Sequence, residues 1–174
     1  MDGIKKQERK TEMNMIVAAD RSWAIGKENK MLVSIPADLK WFRTVTEGKV
    51  VVMGRKTLES LPGGQPLHSR TNIVLTANQN YKATGAVLVH TPEELLEELK
   101  KYREEDIYCI GGESLYRMLL PRTETAYVTR IDFAFEADRY FPDLDALPEW
   151  KLVHESEEQT YFNLEYRFLR YERI

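Results

Sequence analysis

The sequence predicts one α/β domain built on a mostly parallel sheet, and three observations predict it. Short apolar runs alternate with helical patterns along most of the chain, as in sheets whose strands are joined by crossover helices. The runs do not alternate in polarity and are rich in β-branched residues, which is typical of strands covered on both faces. The tail has no helical pattern between its strand-like runs, so we expect the sheet to end in an antiparallel hairpin.

Five buried-type runs come first along the chain. They are Met15–Ala19, Val50–Met53, Asn72–Thr76, Ala86–Val89 and Ile107–Ile110. The tail contributes three more runs, joined to the rest by a connector loop over residues 134–149. These are Thr125–Ile131, Lys151–Ser156 and Tyr161–Arg170.

Cap signals predict the helices between these strands. Proline is preferred at the first helical position, and a hydroxyl followed three residues later by Glu forms a capping box. The helices begin at Pro36, with the stripe Leu39, Phe42 and Val45; at Thr91-Pro92-Glu93-Glu94, with Leu95, Leu96, Leu99 and Tyr102 on one face; and at Ser114, running to Leu120 before Pro121.

Composition limits the classes of function. The chain has 174 residues, 43% of them apolar, which suffices for one core. Lys and Arg number 25 against 28 Asp and Glu, and the net charge of -3 argues against a nucleic-acid partner. The single cysteine, Cys109, excludes an intramolecular disulfide, and the three scattered histidines form no local metal motif. We therefore expect no metal site.

We expect residues 1–13 to form a solvated N-terminal extension, followed by a single domain over residues 14–174. Residues 1–12 carry seven charges and no apolar run, unlike a secretory signal. No segment approaches the ~18 apolar residues of a membrane helix. The expectation is a cytoplasmic chain without a membrane partner. It is expected to be a monomer, because no coiled-coil heptad or apolar surface stripe is present.

A carboxylate on an apolar helix face is the first candidate for chemistry. Asp38 lies in the first turn after Pro36, at helical spacing from Phe42 and Val45. An acidic residue in the first turn can interact favourably with the helix dipole while its carboxylate remains in solvent. The alternative is a carboxylate in an apolar pocket, whose pKa burial would raise and which could bind a cationic or amidine-like ligand and exchange a proton. Spacing alone leaves both interpretations open.

Two strand–glycine–helix junctions are the second candidate. Val50–Met53 runs into Gly54-Arg55-Lys56-Thr57, and Ile107–Ile110 runs into Gly111-Gly112-Glu113-Ser114. Glycine beside a helix start exposes backbone N–H groups that hold phosphates, although it can also serve turn geometry alone. The pair fits a ligand with a pyrophosphate and a distant further phosphate. Neither a G-x-G-x-x-G nor a P-loop motif is present.

Taken in order, six segments resemble dihydrofolate reductase of the bacterial chromosomal type over about residues 14–172. They are Ala24-Ile25-Gly26 with Asn29; Ile35-Pro36-Ala37-Asp38-Leu39 with Trp41-Phe42; Val52-Met53-Gly54-Arg55-Lys56-Thr57 with Glu59-Ser60; Ser69-Arg70-Thr71-Asn72-Ile73; Ile110-Gly111-Gly112 with Tyr116; and Thr129-Arg130-Ile131. The resemblance implies a three-layer sandwich with a central sheet of about eight strands and four flanking helices. It also implies reduction of 7,8-dihydrofolate to tetrahydrofolate with NADPH.

The resemblance assigns catalysis to a single carboxylate. Asp38 would pair with the pteridine's amino group and ring nitrogen and promote protonation of N5, supported by the hydroxyl of Thr129. Arg70 would clamp the glutamate carboxylate of the substrate. The remaining substrate contacts implied are Ile16, Val17, Met31, Leu39, Phe42, Leu61, Leu67, Ile110 and Tyr116.

The implied cofactor contacts follow the two glycine junctions. The turn at Gly54 would face the adenosine phosphates, and a cis Gly111–Gly112 peptide would lie against the pyrophosphate and nicotinamide. Residues 24–33 would form a mobile lid over the nicotinamide. The full implied set is Ala18, Ile25, Gly26, Asn29, Met31, Gly54, Arg55, Lys56, Thr57, Leu75, Thr76, Ala77, His90, Ile110, Gly111, Gly112, Glu113, Ser114, Leu115 and Tyr116.

The chain departs from the family pattern at two places. Leu32-Val33 stands where the family usually has Pro-Trp, so the indole that orients an active-site water is missing. Ser114 and Ala77 stand where a cation and a hydroxyl often help to hold the 2′-phosphate, which leaves Arg55 and Lys56 for that role. Two other functions remain open: a reductase of the same fold acting on a riboflavin-pathway pyrimidine, and a non-catalytic nucleotide-binding module.

Overall fold

The computed structural model describes residues 12–174 and has the α/β architecture that the sequence predicts. Most of the predicted extension, residues 1–11, lies outside the described residues. The strands are β1 Met13–Ala19, β2 Ala24–Gly26, β3 Val50–Gly54, β4 Thr71–Leu75, β5 Ala86–Val89, β6 Ile107–Gly111, β7 Thr123–Ile131, β8 Arg139–Tyr140, β9 Trp150–Glu155, β10 Gln159–Tyr161 and β11 Leu164–Arg173. The α-helices are α1 Pro36–Thr46, α2 Arg55–Ser60, α3 Pro92–Leu99 and α4 Glu113–Leu119.

The main sheet runs in the order β10-β11-β7-β1-β6-β3-β4-β5. Neighbours from β7 to β5 are parallel, whereas β11 is antiparallel to β7. Strand β9 also pairs with β11, on the edge that β10 occupies, so both short strands fill one edge position. The fold class is thereby confirmed, with eight strand positions and an antiparallel C-terminal end.

The five buried-type runs all form strands of this parallel region. The tail differs from the prediction at one point: Tyr161–Arg170 is not a single strand. The chain turns back at Phe162, whose φ is +52°, and Tyr161 pairs with Leu164 across the turn. The sequence prediction was wrong here because apolar and aromatic residues continue through the turn.

The helices begin where the cap signals predict. Pro36 is the first residue of α1, and the Thr91 hydroxyl accepts a hydrogen bond from the Glu94 backbone N–H at the start of α3. The Glu94 carboxylate reaches back to the backbone N–H of His90 at 2.8 Å. The first bond satisfies a donor that the helix start otherwise leaves unpaired, and the second ties the residue before the N-cap to the helix.

The core lies on both faces of the parallel strands. Its largest cluster joins the inner residues of β1, β6 and β7 to α3, α4 and the C-terminal strands, and it includes Trp23 and Trp150. Cys109 is fully buried in this cluster, and burial raises the pKa of its thiol to about 12. Within residues 12–174, none of the helices has the length and apolar character needed to cross a membrane.

A two-stranded antiparallel sheet, β2 with β8, lies beside the main sheet. It ties the start of residues 24–33 to the connector loop after β7. The Glu28 backbone N–H also donates to the Asp138 carboxylate at 3.0 Å, and Lys27 pairs with Glu136 at 2.9 Å. Strands β2 and β8 are too short to show an alternation of apolar and polar residues, so the sequence did not predict them.

Candidate active site

The carboxylate of Asp38 is enclosed between α1 and the main sheet. Its side chain is one of two that α1 buries, and the residue is 9% exposed. The Thr129 hydroxyl, on β7, donates to Asp38 Oδ1 at 2.5 Å. Proline at the helix start and an acid in the first turn therefore place this group on the sheet side of the helix. The pocket interpretation of Asp38 agrees with this geometry, and the solvent-facing one does not.

Burial sets the protonation of Asp38. Removal of the carboxyl from water raises its pKa above the ordinary value of 3.8, and the hydrogen bond from Thr129 opposes that rise. The buried carboxyl thus holds its proton to a higher pH than an exposed aspartate does. A group of this kind can bind a ligand N–H and exchange a proton with it.

Leu39 does not share the burial of Asp38. The sequence placed it on the buried face, but it is 44% exposed in the structure. At one residue from Asp38 it lies about 100° further round the helix, beyond the strip that the sheet covers. Phe42 and Val45, the other members of the predicted stripe, are half-buried.

Beyond Asp38 and Thr129, the predicted site residues gather along the carboxyl ends of adjacent parallel strands. In spatial order, β1 contributes Ile16–Ala18, β6 Ile110–Gly111, β3 Gly54, β4 Leu75 and the end of β5 His90. Neighbouring strands lie about 4.8 Å apart, so the row from β6 to β5 spans about 14 Å. Such a row suits an extended ligand laid across the strand ends.

The two glycine junctions are neighbours at the centre of this row. A Cβ on Gly112 would lie 3.6 Å from the Thr57 hydroxyl oxygen, at the start of α2. The Gly111–Gly112 peptide is cis, as the resemblance implies. Tyr116 packs beside the Gly111–Gly112 pair, which forms the glycine corner of the site. Its hydroxyl donates to the Ile16 carbonyl at 2.8 Å, and its ring would lie 3.2 Å from a Cβ on Gly111. The Gly111 backbone is thus packed against the Tyr116 ring on one side, and Gly112 is half-buried.

Cations lie at the start of α2, directly after the Gly54 junction. Arg55 pairs with Glu59 one turn along α2, at 2.9 Å, and Lys56 is exposed. At the far end of the row, His90 donates through Nδ1 to the Thr76 carbonyl at 2.9 Å, and Nε2 takes no part in that bond. Ala77 and Ser114 are exposed, whereas Thr76 is buried. The two cations at the start of α2 can hold an anionic group.

Arg70 lies on the side of the site nearest the end of α1. Its Nε donates to the His68 carbonyl at 2.8 Å and its Nη1 to the Thr46 hydroxyl at 3.2 Å. The guanidinium is also 6.0 Å from the centre of the Phe42 ring. These contacts hold the Arg70 side chain in one orientation. Its Nη2 takes part in neither hydrogen bond.

Two residues near the site were missed from the sequence. Thr46 is fully buried and anchors Arg70, and the signal would have been a hydroxyl in the last turn of an amphipathic helix. Tyr166 on β11 is 4% exposed, and Asp38 contributes to the rise of its pKa after burial. Val33 packs in the same cluster as Tyr166, with Ile35 and Ile131.

A cavity of about 440 Å³ separates residues 28–31 from the end of α2. Met31 is 54% exposed at its edge, and Glu59 and Ser60 form the other wall. None of the remaining predicted residues lines this cavity; they are half-buried or buried elsewhere in the fold: Ile25, Gly26, Leu61, Leu67, Glu113 and Leu115. Asn29 is exposed and has a φ of +62°.

Comparison with known proteins places these features in one family. A family model described as dihydrofolate reductase matches residues 12–173. A dihydrofolate reductase of Bacillus subtilis (strain 168) is 36% identical over 166 residues, covering 92% of this chain and 94% of that protein. One from Haemophilus influenzae is 39% identical over 139 residues, covering 80% of this chain and 83% of that protein.

Solved structures agree with the sequence relatives. Dihydrofolate reductase from Enterococcus faecalis, solved in complex with NADP(H) and the compound RAB-propyl, superposes on this chain with a TM-score of 0.83. The two chains are 33% identical, and the match covers 94% of this chain and 97% of the other.

Proposed function

The chain belongs to the dihydrofolate reductase family and reduces 7,8-dihydrofolate to 5,6,7,8-tetrahydrofolate with NADPH, and we propose that Asp38 is the residue that promotes protonation of the substrate's N5. The observation that carries the proposal is the buried carboxyl of Asp38, bonded through one oxygen to Thr129 at 2.5 Å. The carboxylate has acceptor sites beyond the one that Thr129 uses, and we propose that they pair with the amino group and ring nitrogen of a pteridine.

Cofactor binding is proposed along the row of strand ends. When bound, NADPH supplies the hydride that goes to C6. The backbone of Gly111 and Gly112 is proposed to lie against the pyrophosphate and nicotinamide, since it ends β6 at the centre of the row, beside Thr57 of α2. Arg55 and Lys56 are proposed to hold the 2′-phosphate, with His90 at the end of the same row.

The protein's chemical task is then to position the substrate and to promote protonation of its N5. N5 of dihydrofolate is a weakly basic imine nitrogen, and a carboxyl in the same pocket that keeps its proton to higher pH promotes protonation of N5. Burial of Asp38 acts in this direction, because it raises the pKa of the carboxyl above its ordinary value of 3.8. Thr129 keeps the carboxyl in one orientation, and Ile16, Val17 and Tyr116 are themselves buried.

Turnover tests this assignment directly. We expect the purified chain to oxidise NADPH only when dihydrofolate is added, and a diaminopyrimidine to inhibit by competing for Asp38. Reduction of a riboflavin-pathway pyrimidine without reduction of dihydrofolate would favour the other reductase of this fold. Tight NADPH binding without turnover on either substrate would favour a binding module.

Arg70→Gln is expected to raise the KM for dihydrofolate by about 10- to 100-fold, the cost of losing charge-assisted hydrogen bonds to a carboxylate. The measurement is steady-state kinetics with dihydrofolate and with dihydropteroate, which lacks the glutamate. The variant and the native chain should treat dihydropteroate alike. An equal rise in KM for both substrates would show that Arg70 does not contact the glutamate.

Arg55→Gln is expected to weaken NADPH binding by about tenfold while leaving NADH binding nearly unchanged, since only NADPH carries the 2′-phosphate. Fluorescence titration of both cofactors measures this. Lys100→Gln, which removes a cation from the exposed end of α3, is the matched control. Equal weakening for both cofactors would place Arg55 elsewhere on the ligand.

We propose further that residues 14–174 act as one cytoplasmic domain, as a monomer and without a nucleic-acid partner. The supporting observations are the contiguous sheet and the net charge of -3. Sedimentation at increasing protein concentration tests the monomer, and a rise in mass would contradict it.

A further inference from the structure

Residues 24–33 are expected to form a lid over the nicotinamide, and Arg130 reaches the loop before them from the strand that also carries Thr129. Successive side chains of a strand point to opposite faces, so Thr129 faces Asp38 while Arg130 faces the other way. Arg130 Nε donates to the Asp20 carbonyl at 2.7 Å, and Nη2 donates to the Arg21 carbonyl at 2.8 Å. A single guanidinium therefore binds two consecutive carbonyls at the start of the loop.

Trp23 completes this arrangement. The Arg130 guanidinium carbon lies 4.0 Å from the centre of the Trp23 ring, within the range of a cation–π interaction. Trp23 has a φ of +64°, which a bulky residue adopts only where its surroundings impose it. Its carbonyl accepts from the Phe141 backbone N–H at 2.8 Å, and its ring stacks on Phe141 with centroids 6.0 Å apart.

The buried carboxylate of Asp20 fixes the same loop from within. It is fully buried and accepts from the backbone N–H groups of Ser22, Ala24 and Phe135 at 2.8–2.9 Å. The first residue of the segment 24–33, Ala24, and the connector loop after β7 are thereby bound to one side chain.

These contacts also lead to the glycine corner of the site. Phe141 packs edge-on against Tyr116 with centroids 4.9 Å apart, and the Tyr116 ring lies against Gly111. The Trp23 ring is thus two aromatic contacts away from the backbone proposed to face the nicotinamide. The lid enters β2 directly after Trp23.

We infer that Arg130 and Trp23 form a clamp that positions the lid over the cofactor. Arg130 is a positioning residue in this account: it touches neither substrate nor cofactor, and it acts by fixing the direction in which residues 24–33 leave the sheet. The inference rests on the proposed cofactor site. Its consequence is that loosening the clamp affects cofactor retention and the hydride step, while the Asp38 pocket is untouched.

Arg130→Gln is the principal test, made on the full chain. The variant loses the cation–π contact, the two hydrogen bonds to backbone carbonyls and a further bond from Nη1 to the Asp145 carboxylate at 3.4 Å. We expect NADPH to dissociate about tenfold faster and single-turnover NADPH oxidation to slow by a similar factor, because only part of this loss is transmitted to the cofactor. Tryptic cleavage after Lys27 and Lys30 should accelerate, which reports lid opening independently of activity. Binding of a folate analogue and the pH profile of turnover should stay as in the native chain.

Arg167→Gln is the matched control, because Arg167 pairs with Arg130 across β7 and β11 but bonds the exposed Glu155 at 3.1 Å. It should change none of these quantities. Trp23→Phe keeps an aromatic ring with a weaker cation–π interaction, and it should shift lid cleavage and NADPH release in the same direction by a smaller factor. This variant carries the test if Arg130→Gln does not fold.

Two results would overturn the inference. Native rates of lid cleavage and NADPH release in the folded variants would show that the clamp positions nothing. Weaker folate binding with a displaced pH profile would show that Arg130 supports β7 and Thr129 instead. Failure of the native chain to reduce dihydrofolate would overturn the proposed function, and lid cleavage would still decide the clamp.

Discussion

Asp38→Asn is expected to lower the rate of dihydrofolate reduction at neutral pH by about 10²- to 10⁴-fold, the usual contribution of a positioned acid or base. Asparagine keeps the shape of the side chain and can still accept the Thr129 hydrogen bond, so the pocket should remain intact. Single-turnover oxidation of NADPH measures the effect. Partial recovery in acid is expected, because N5 can then take its proton from solvent.

The same substitution should stabilise the fold at neutral pH. Because burial raises the pKa of Asp38 in the folded state, the folded chain binds more protons than the unfolded chain between 3.8 and the raised value. The free energy of unfolding therefore falls as pH rises through that interval, and this loss of stability persists at higher pH. Asparagine cannot ionise, so the variant does not suffer this loss.

Denaturant unfolding at acid and neutral pH checks this sign. Asp132→Asn, which removes an exposed carboxylate paired with Arg21, is the control and should affect neither activity nor stability strongly. A variant of Asp38 that is both fully active and less stable than the native chain at neutral pH would contradict the account of this residue.

Gly111→Ala is expected to destabilise the fold by about 2–5 kcal/mol. The residue has a φ of +118°, where a side chain is strained, and the new Cβ would lie 3.2 Å from the Tyr116 ring. Tyr116 cannot easily retreat, because its hydroxyl is bonded to the Ile16 carbonyl inside the core. Thermal unfolding measures the loss, at roughly 2–4 °C per kcal/mol for a domain of this size.

Gly85→Ala separates the effect of backbone strain on stability from the effect of steric crowding. Gly85 also has a positive φ, +87°, but a Cβ there would meet only the Pro66 ring, at an ordinary 3.8 Å. We expect a loss of about 1 kcal/mol, with full activity. Equal losses at the two glycines would show that contact with Tyr116 adds nothing.

The parallel strands and the helical position of Asp38 could be predicted because each rests on local pattern, whereas its place in a pocket followed from the family resemblance. Runs such as Val50–Met53 carry their own burial signal, and the position of Asp38 follows from Pro36 and the helical period. The strand ends then gather by topology, since parallel neighbours bring their carboxyl ends to one edge.

The unpredicted features depend on partners distant in sequence. Asp20 looks like an ordinary turn residue until Phe135 is placed beside it, at 2.8 Å, by the return of β7. Strands β2 and β8 exist only as a pair, and the φ of Trp23 is imposed by Arg130 and Phe141. No short-range pattern encodes such contacts, so they emerge only with the fold.

The pH dependence of the hydride step tests the central claim most directly. Single-turnover oxidation of NADPH with dihydrofolate should fall in the native chain as pH rises through a pKa above that of an exposed aspartate. In Asp38→Asn that step in the profile should vanish. An unchanged profile in the variant would contradict the assignment of proton transfer to Asp38.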